Sequence, residues 1–118
     1  MSSVDYGYEG AAMSTIVIAK YRADPSRFEK LVKSNDVDFT AVARARMSKG
    51  CISHRYAVGD GAVYVIDEWP SVEAYNQGWE TSRGWSHEIA VEAGLEEPPE
   101  ITYLHVVPDP GAFYRYPG

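Results

Sequence analysis

The chain has 118 residues, of which 45% are hydrophobic, and its 17 acidic against 11 basic side chains give a formal net charge of −6. This length fits one domain with a core of its own, and the acidic balance argues against nucleic acid or an anionic membrane surface as the main partner. The single cysteine excludes an internal disulfide and a cysteine-based zinc site. No apolar run approaches the roughly 20 residues of a spanning helix, and residues 1–10 lack the basic and apolar regions of a secretory signal. We therefore expect a cytoplasmic protein that does not bind membranes.

The chain begins with a segment that has no periodicity. Residues 1–13 are small and polar, and they predict a flexible N-terminal tail ahead of one domain at residues 14–107. The first strand is predicted at residues 14–22. Its centre, from Ile16 to Ala19, is apolar on both faces, which is typical of a strand that is covered on both sides.

A long helix is predicted next. Asp24 followed by Pro25 is a helix start, and the helical pattern continues to about residue 48. Residues 34–38 are poor helix formers, so they predict a kink in the helix or a break into two. At about 100° per residue the apolar side chains gather on one stripe, which also contains Asn35 and Arg46.

A β-hairpin is predicted in the middle of the chain. Two strands, at residues 51–58 and 62–69, flank the sequence Gly-Asp-Gly, in which glycine supplies positive φ and lets the chain reverse. His54 and Tyr56 fall on the same face of the first strand, because side chains two residues apart point the same way. The second strand is rich in β-branched and aromatic residues.

The remainder of the chain predicts two short helices, a strand and a C-terminal tail, at residues 72–80, 83–93, 101–107 and 108–118. A Pro-Ser pair stops the hairpin and caps the first helix, and a Thr-Ser pair separates it from the second. Gly94 ends the second helix.

This order of elements predicts an α+β fold. It is the ferredoxin-like split βαβ sandwich, in which a four-stranded antiparallel sheet carries its helices on one face. One alternation set contains Ile16, Ile18, Val63, Val65, Ile101, Tyr103 and Val107, and the other contains Val17, Tyr64, Ile66, Leu104 and Val106. Both faces are thus apolar while helices cover only one, so we expect a homodimer in which two copies pack sheet to sheet.

The run GCISHRYAVGDGAVYVIDEWPSVEAYNQGWETSRGW, which starts at Gly50, resembles the antibiotic-biosynthesis monooxygenase family of dimeric α+β barrels. The matching features are Gly-Cys at the second strand, the Gly-Asp-Gly loop, Asp67-Glu68-Trp69, and the Ser-x-Glu-Ala-Tyr that follows. The resemblance covers about residues 15–107 and implies the fold and the pairing of two copies. The family includes cofactor-free oxygenases of phenols or quinols, haem-degrading oxygenases, isomerases of small signalling molecules, and members with no known activity.

The cofactor-free branch, if the chain belongs to it, implies that the substrate itself reduces O2 inside a polar pocket. No cofactor is then expected, and the sequence has no GxGxxG motif. The haem-degrading branch is the alternative, and it implies an asparagine on the first strand, a tryptophan and a histidine ligand. Here Lys20 and Tyr21 stand near the asparagine position, Trp79 fits after a one-residue shift, and His87 is one or two positions off. Haem degradation is therefore disfavoured.

The candidate site residues are polar or aromatic side chains expected in a cavity between sheet and helices. They are His54 and Asn35 as catalytic groups, and Trp79, Trp85, Tyr64 and His105 as substrate-binding groups. A histidine near neutral pKa can accept a phenolic proton, and an indole can hold a planar ligand. For each of them a purely structural role is the alternative. Asp67, at a strand centre, would need a partner such as Lys20 or Arg22.

Three hypotheses of function follow. The first is a homodimeric, cofactor-independent monooxygenase-like protein that oxidises a small, planar, apolar phenol or quinol. The second is a haem-binding or haem-degrading oxygenase. The third is a non-catalytic module that binds a small ligand or supports assembly, in which the tyrosine-rich tails would matter more than the cavity. The three histidines lack the spacing of a metal site.

Overall fold

The structure, a computed structural model, describes residues 14–113 apart from the side chains of residues 81–85. The predicted tail at residues 1–13 and the chain from residue 114 lie outside the described residues. In chain order the elements are β1 (Thr15–Arg22), α1 (Pro25–Ser34), α2 (Phe39–Ser48), β2 (Ser53–Gly59), β3 (Ala62–Trp69), α3 (Val72–Ala93) and β4 (Glu100–His105). This order confirms the predicted ferredoxin-like α+β fold.

The four strands form one antiparallel sheet in the order β2-β3-β1-β4. The register places Val17 opposite Asp67 and Ile18 opposite Ile66. The predicted division of the two faces is therefore wrong for β1. Because side chains alternate, an error of one residue in matching β1 to β3 exchanges its faces, and sequence alternation alone does not fix the match between strands.

One face of the sheet is covered by the three helices. Phe28 and Leu31 from α1 pack with Val42 from α2, Ile89 and Ala93 from α3, and Val63 from the sheet, as one buried cluster. A second cluster joins Val17, Cys51, Trp69 and Tyr75. Two separate groups of buried side chains thus hold the helices on this face, which is where a cavity between sheet and helices would lie.

The other face of the sheet has no helix over it within the described residues. Ile16, Ile18 and Ile66 lie there half-buried, and Leu104 on the edge strand β4 is 48% exposed. Covering a side chain of this size stabilises a protein by about 1.5–3 kcal/mol, so a contiguous row of them favours a partner surface.

The predicted first helix is two helices, α1 and α2, as the poor helix formers at residues 34–38 had indicated. Asn35 ends α1 in the left-handed conformation, with φ of 62°, and its side chain is exposed. Asp38 then caps α2, because its side chain accepts a hydrogen bond from the Ala41 backbone N–H. The break rotates the chain, so the expectation that Asn35 lies on a buried stripe is wrong.

The two predicted helices after the hairpin are one continuous helix, α3. Ser71 caps its start, since its hydroxyl accepts from the Ala74 N–H, and Gly94 ends it in the left-handed conformation. The Thr-Ser pair does not break it, because helix propensity is a weak preference that tertiary packing overrides. Gly78 lies against Trp69, and a Cβ there would be 2.4 Å from Cη2 of the indole. This glycine lets α3 approach the sheet closely.

Candidate active site

A buried carboxylate, Asp67, is the centre of a polar network on the helix-covered face. Its Oδ2 accepts a hydrogen bond from Arg46 Nη1 at 2.9 Å and another from Trp69 Nε1 at 3.1 Å. Its Oδ1 lies 2.7 Å from His54 Nδ1. Asp67 is only 2% exposed, so both of its oxygens are supplied by protein donors rather than by bulk water. The network thus satisfies the strong demand of a buried carboxylate for donors.

The register of the sheet explains how these side chains meet. Asp67 sits at the middle of β3, directly opposite His54 on β2 and Val17 on β1. Arg46 reaches it from the last turn of α2, where it is buried. Lys20 shares its face with Ile18, away from the helices, which makes the suggestion of Lys20 or Arg22 as the partner of Asp67 wrong.

Two polar atoms of this network are buried without a hydrogen-bond partner among the described residues. They are Arg46 Nε and His54 Nε2. The side chains of Arg46 and His54 are 7% and 10% exposed, so neither nitrogen reaches bulk solvent. Buried polar atoms are almost always satisfied by protein, water or ligand, so a water molecule or a ligand atom would complete the bonding of each of these two nitrogens.

A cavity lies beside the network, between the sheet and the helices. It is lined by Val17, Ala19, Tyr21, Arg46, Val65, Asp67, Tyr75 and Trp79. Its volume is about 10 Å³, which is room for roughly one water molecule. The cavity is on the β1 side of Asp67, whereas His54 lies on the β2 side and is not part of its wall. The space that the sequence suggested is therefore present but nearly filled.

The tyrosines near the cavity are held as neutral phenols. Burial raises the pKa of Tyr75 to about 12, and it also raises the pKa of Tyr21, with the nearby Glu97 acting in the same direction. Tyr75 stands edge-on to Trp69 and to Tyr103, with ring centroids 6.0 and 6.1 Å apart. At neutral pH these hydroxyls can donate a hydrogen bond to a ligand oxygen but do not act as bases.

The structure brings two of the six predicted site residues to this region. His54 belongs to the network, and its ring is edge-on to Tyr56 with a centroid distance of 4.9 Å. Trp79 lines the cavity and is half-buried.

Three of the other predicted site residues lie elsewhere. Asn35 is exposed at the end of α1, and Tyr64 is on the sheet face without helices, with Lys20 Nζ 6.0 Å from its ring centroid. His105 is exposed at the end of β4. The side chain of Trp85 is outside the described part of the structure. Asn35 was predicted to be buried because its position was read from one continuous helix, although the helix breaks at this residue. Tyr64 was predicted to face the cavity because the register between β1 and β3 was unknown.

The network also contains functional candidates that the sequence analysis did not select. Arg46 was seen on the apolar stripe of its helix, and a charged residue on such a stripe is a signal of a buried partner. Asp67 at a strand centre was the complementary signal. Pairing these two observations would have found the contact, which spans 21 positions in the chain.

A larger groove, of about 730 Å³, lies between the start of α2 and the end of α3. Its wall has four carboxylates, from Asp36, Asp38, Glu88 and Glu92, and an apolar floor that includes Val42 and Ile89. His87 is also on its wall, and its Nδ1 is 2.8 Å from a carboxylate oxygen of Glu97. The lining has no arginine or lysine, so this groove is poorly suited to hold an anion formed by deprotonation.

In the described residues no three His, Cys, Asp or Glu side chains are placed to hold a metal ion, and no helix is long and apolar enough to cross a membrane.

Solved structures with the same fold include oxygenases. The chain is similar to a monooxygenase from Streptomyces coelicolor, product of the gene ActVA-Orf6, whose crystal structure contains Nanaomycin D. The identity is 19%, the TM-score is 0.62, and 94% of this chain and 100% of that chain are covered. A putative antibiotic biosynthesis monooxygenase from Caulobacter crescentus is 19% identical, with TM-score 0.55 and coverage of 87% and 100%.

A dimeric ferredoxin-like protein from an uncultured marine organism is 14% identical, with TM-score 0.60 and coverage of 91% and 96%. The chain has the fold of the antibiotic-biosynthesis monooxygenases. At these identities the likeness is one of fold alone. No protein-family profile matches the sequence, and no curated protein matches it either.

Proposed function

We propose that this protein is a cofactor-independent monooxygenase-like enzyme that oxidises a small, planar phenol or quinol with O2. The observation that carries the proposal is the buried Arg46–Asp67–His54 network, with two unsatisfied nitrogens, beside an aromatic-lined cavity. The shared fold with a monooxygenase that was crystallised with Nanaomycin D adds support.

The chemistry requires a proton acceptor and a group that stabilises an anion. His54, which lies across Asp67 from the cavity, is the side chain that we propose as the proton acceptor, and Arg46 is the permanent positive charge on the cavity wall. Deprotonation makes the ring electron-rich enough to reduce O2. A ring C–H carbon of the phenol or quinol then takes up one oxygen atom of O2 and becomes a carbonyl of the quinone product, and the other oxygen atom leaves as water, so the substrate supplies all the electrons. The phenols of Tyr21 and Tyr75 can donate hydrogen bonds to the developing oxyanion.

The size of the cavity sets a condition for binding. A dry cavity of about 150 Å³ holds benzene in another protein, whereas this one has about 10 Å³. A ring can enter only if part of the wall moves. Val65 and Trp79 are the only lining residues that are not fully buried, and Trp79 is the larger. We propose that the Trp79 indole moves aside and then covers the bound ring.

We further propose that the functional form is a homodimer in which the helix-free faces of two sheets pack together. The row of Ile16, Ile18 and Ile66 on that face supports this arrangement, as does the dimeric state of the similar ferredoxin-like protein. Two-fold packing would remove the same apolar row from water in both copies.

Oxygen uptake with a panel of anthrones and naphthoquinols tests the proposal. We expect uptake without added metal or flavin, and a loss of at least tenfold in Trp79→Ala. A matched control is Phe113→Ala, which truncates an aromatic side chain that is 82% exposed and distant in sequence from the cavity. Absence of uptake with every substrate, in a protein shown to be folded, would refute the enzyme and favour a ligand-binding module.

A further inference from the structure

The helix-free face of the sheet is a grid of side chains whose positions follow from the register. Each row of the grid has one side chain from β2, β3, β1 and β4, in that order across the sheet. Neighbouring strands are about 4.8 Å apart and neighbouring rows about 7 Å apart, so the relative place of each side chain is known. The first row is Ser53, Glu68, Ile16 and Leu104, the second is Arg55, Ile66, Ile18 and Thr102, and the third is Ala57, Tyr64, Lys20 and Glu100.

The charged side chains of this grid balance each other. Arg55 and Lys20 are basic while Glu68 and Glu100 are acidic, so the grid is neutral although the chain has a net charge of −6. No ion pair joins these side chains to one another in the part of the chain that the structure describes. A surface that covers the apolar centre of the grid must therefore supply opposite charges as well, because a charge buried without a partner costs several kcal/mol.

A second copy that packs on this face by two-fold symmetry has four simple orientations, and three of them misplace the charges. With the axis along the strands, Glu68 faces the partner's Ile16. With the axis across the strands, Arg55 faces the partner's Arg55. With the axis on the diagonal from the third row of β2 to the first row of β4, Arg55 falls beside the partner's Lys20.

The other diagonal runs from Ser53 to Glu100 and brings opposite charges together. With the axis on this diagonal, Arg55 of each copy falls within about 3 Å of the partner's Glu68 in the plane of the sheets. Symmetry makes two such pairs in the dimer. Glu68 is half-buried and Arg55 is exposed, so both side chains can still be reached by a partner.

We propose that a second copy of the chain docks on this face with the strands of the two sheets crossed, so that Arg55 of each copy pairs with Glu68 of the other. This inference rests on the homodimer of the proposed function and adds its orientation and the charges that fix it. Ile18 and Ile66 of both copies then meet around the centre, where the face is most apolar. Charge complementarity thus gives the pairing a single orientation, because the alternatives juxtapose like charges or cover a charge with an apolar side chain.

Cysteine cross-linking of the full chain tests the orientation. Ser53 and Ala57 are on the same face of β2, but only Ser53 lies on the proposed axis, where it faces its own copy in the partner. The two Ala57 positions are about 20 Å apart in the plane of the sheets. A short bis-maleimide should therefore join Ser53→Cys into a covalent dimer and leave Ala57→Cys unjoined. The wild type is the control, since Cys51 is buried and burial raises the pKa of its thiol to about 12.

Charge reversal tests the ion pair. Arg55→Glu and Glu68→Arg, each alone, place like charges opposite each other in both pairs of the dimer. We expect the dissociation constant of the dimer, measured by light scattering on dilution, to rise by about tenfold or more in each single variant. The double variant restores the opposite charges and should return to near the wild-type value. Lys33→Glu, the same reversal at an exposed position on α1, should have no effect.

Each outcome decides the orientation without any substrate. Cross-linking that is equal at the two positions indicates aligned sheets, and cross-linking of Ala57→Cys alone indicates the other diagonal; either result overturns the inference. A double variant as weakly paired as the single variants also overturns it. A wild type that is monomeric at high concentration overturns both the inference and the proposed homodimer, whereas a lack of oxygen uptake refutes the proposed enzyme and leaves the result on pairing intact.

Discussion

Replacing Arg46 by methionine should destabilise the protein far more than replacing any exposed arginine. Arg46 as a whole residue is 6% exposed, and its Nη1 is one of two donors to Asp67 Oδ2. Methionine fills a similar volume but leaves the carboxylate buried with only Trp69 and His54. Removal of one partner from a buried ion pair costs about 3–5 kcal/mol. The free energy of unfolding of a domain of this size is only about 5–15 kcal/mol, so this loss is a large fraction of the total stability.

The measurement is urea unfolding followed by tryptophan fluorescence, with Arg44→Met as the matched control. Arg44 is on the same helix but exposed, and its replacement should change the free energy of unfolding by no more than about 0.5 kcal/mol. At about 4 °C per kcal/mol for a domain of about this length, Arg46→Met should lower the melting temperature by about 12–20 °C. A loss of unfolding free energy no larger than that of Arg44→Met would refute the reasoning that the pair is buried and mutually dependent.

A triple replacement separates the charges from the space that they fill. Arg46→Met, Asp67→Leu and His54→Leu together remove every charged group of the network and keep its volume roughly constant. Hydrophobic replacement of a buried charged cluster is often neutral or stabilising. We therefore expect the triple variant to be more stable than Arg46→Met alone and to have no oxygen uptake. A triple variant less stable than the single one would show that the charges themselves hold the fold together.

The remaining predictions concern packing, pairing and pH. Gly78→Ala should cost about 1–3 kcal/mol in urea unfolding, because the new Cβ would lie 2.4 Å from the Trp69 ring. Ile66→Lys should make the proposed dimer monomeric, as measured by light scattering, and a wild type that is monomeric at high concentration would contradict the proposed pairing. Burial raises the pKa of Tyr56 and Tyr75 from 10.0 to about 12, so the unfolded state loses these protons first and stability should fall as pH rises from 10 to 12. Unfolding curves at pH 9 and 11 check this, and a smaller fall is expected in Tyr75→Phe.

The fold was predictable because its signals are local. Asp24-Pro25 begins α1, the Gly-Asp-Gly turn joins β2 to β3, and the order of elements leaves few topologies. Each of these signals concerns residues close in the chain, whose geometry depends little on the rest of the molecule. The continuous α3 was missed for the opposite reason, since its packing against Trp69 and the sheet outweighs the weak preference of its Thr-Ser pair.

The site was only partly predictable because it depends on register. His54 was selected as a base from its residue type, but its partner Asp67 follows from a strand pairing that alternation alone does not fix. Arg46 reaches the same point from a helix that had first to be divided at Asn35. A shift of one residue in the β2–β3 pairing or in the start of α2 would have separated these side chains. The sequence therefore identified the residues of the network but not the hydrogen bonds between them.

The form of the network itself argues for chemistry rather than for stability. A cluster of buried charges contributes little net stability when apolar side chains of the same volume would fill the space as well. Here the surrounding row is already apolar, with Val17 opposite Asp67 on β1 and Val65 two residues along β3. Two of the network nitrogens, moreover, have no partner in the described residues, which is an additional cost that a structural ion pair avoids. An arrangement that is expensive to bury and incompletely satisfied supports the proposed function, in which a bound molecule supplies the missing partners.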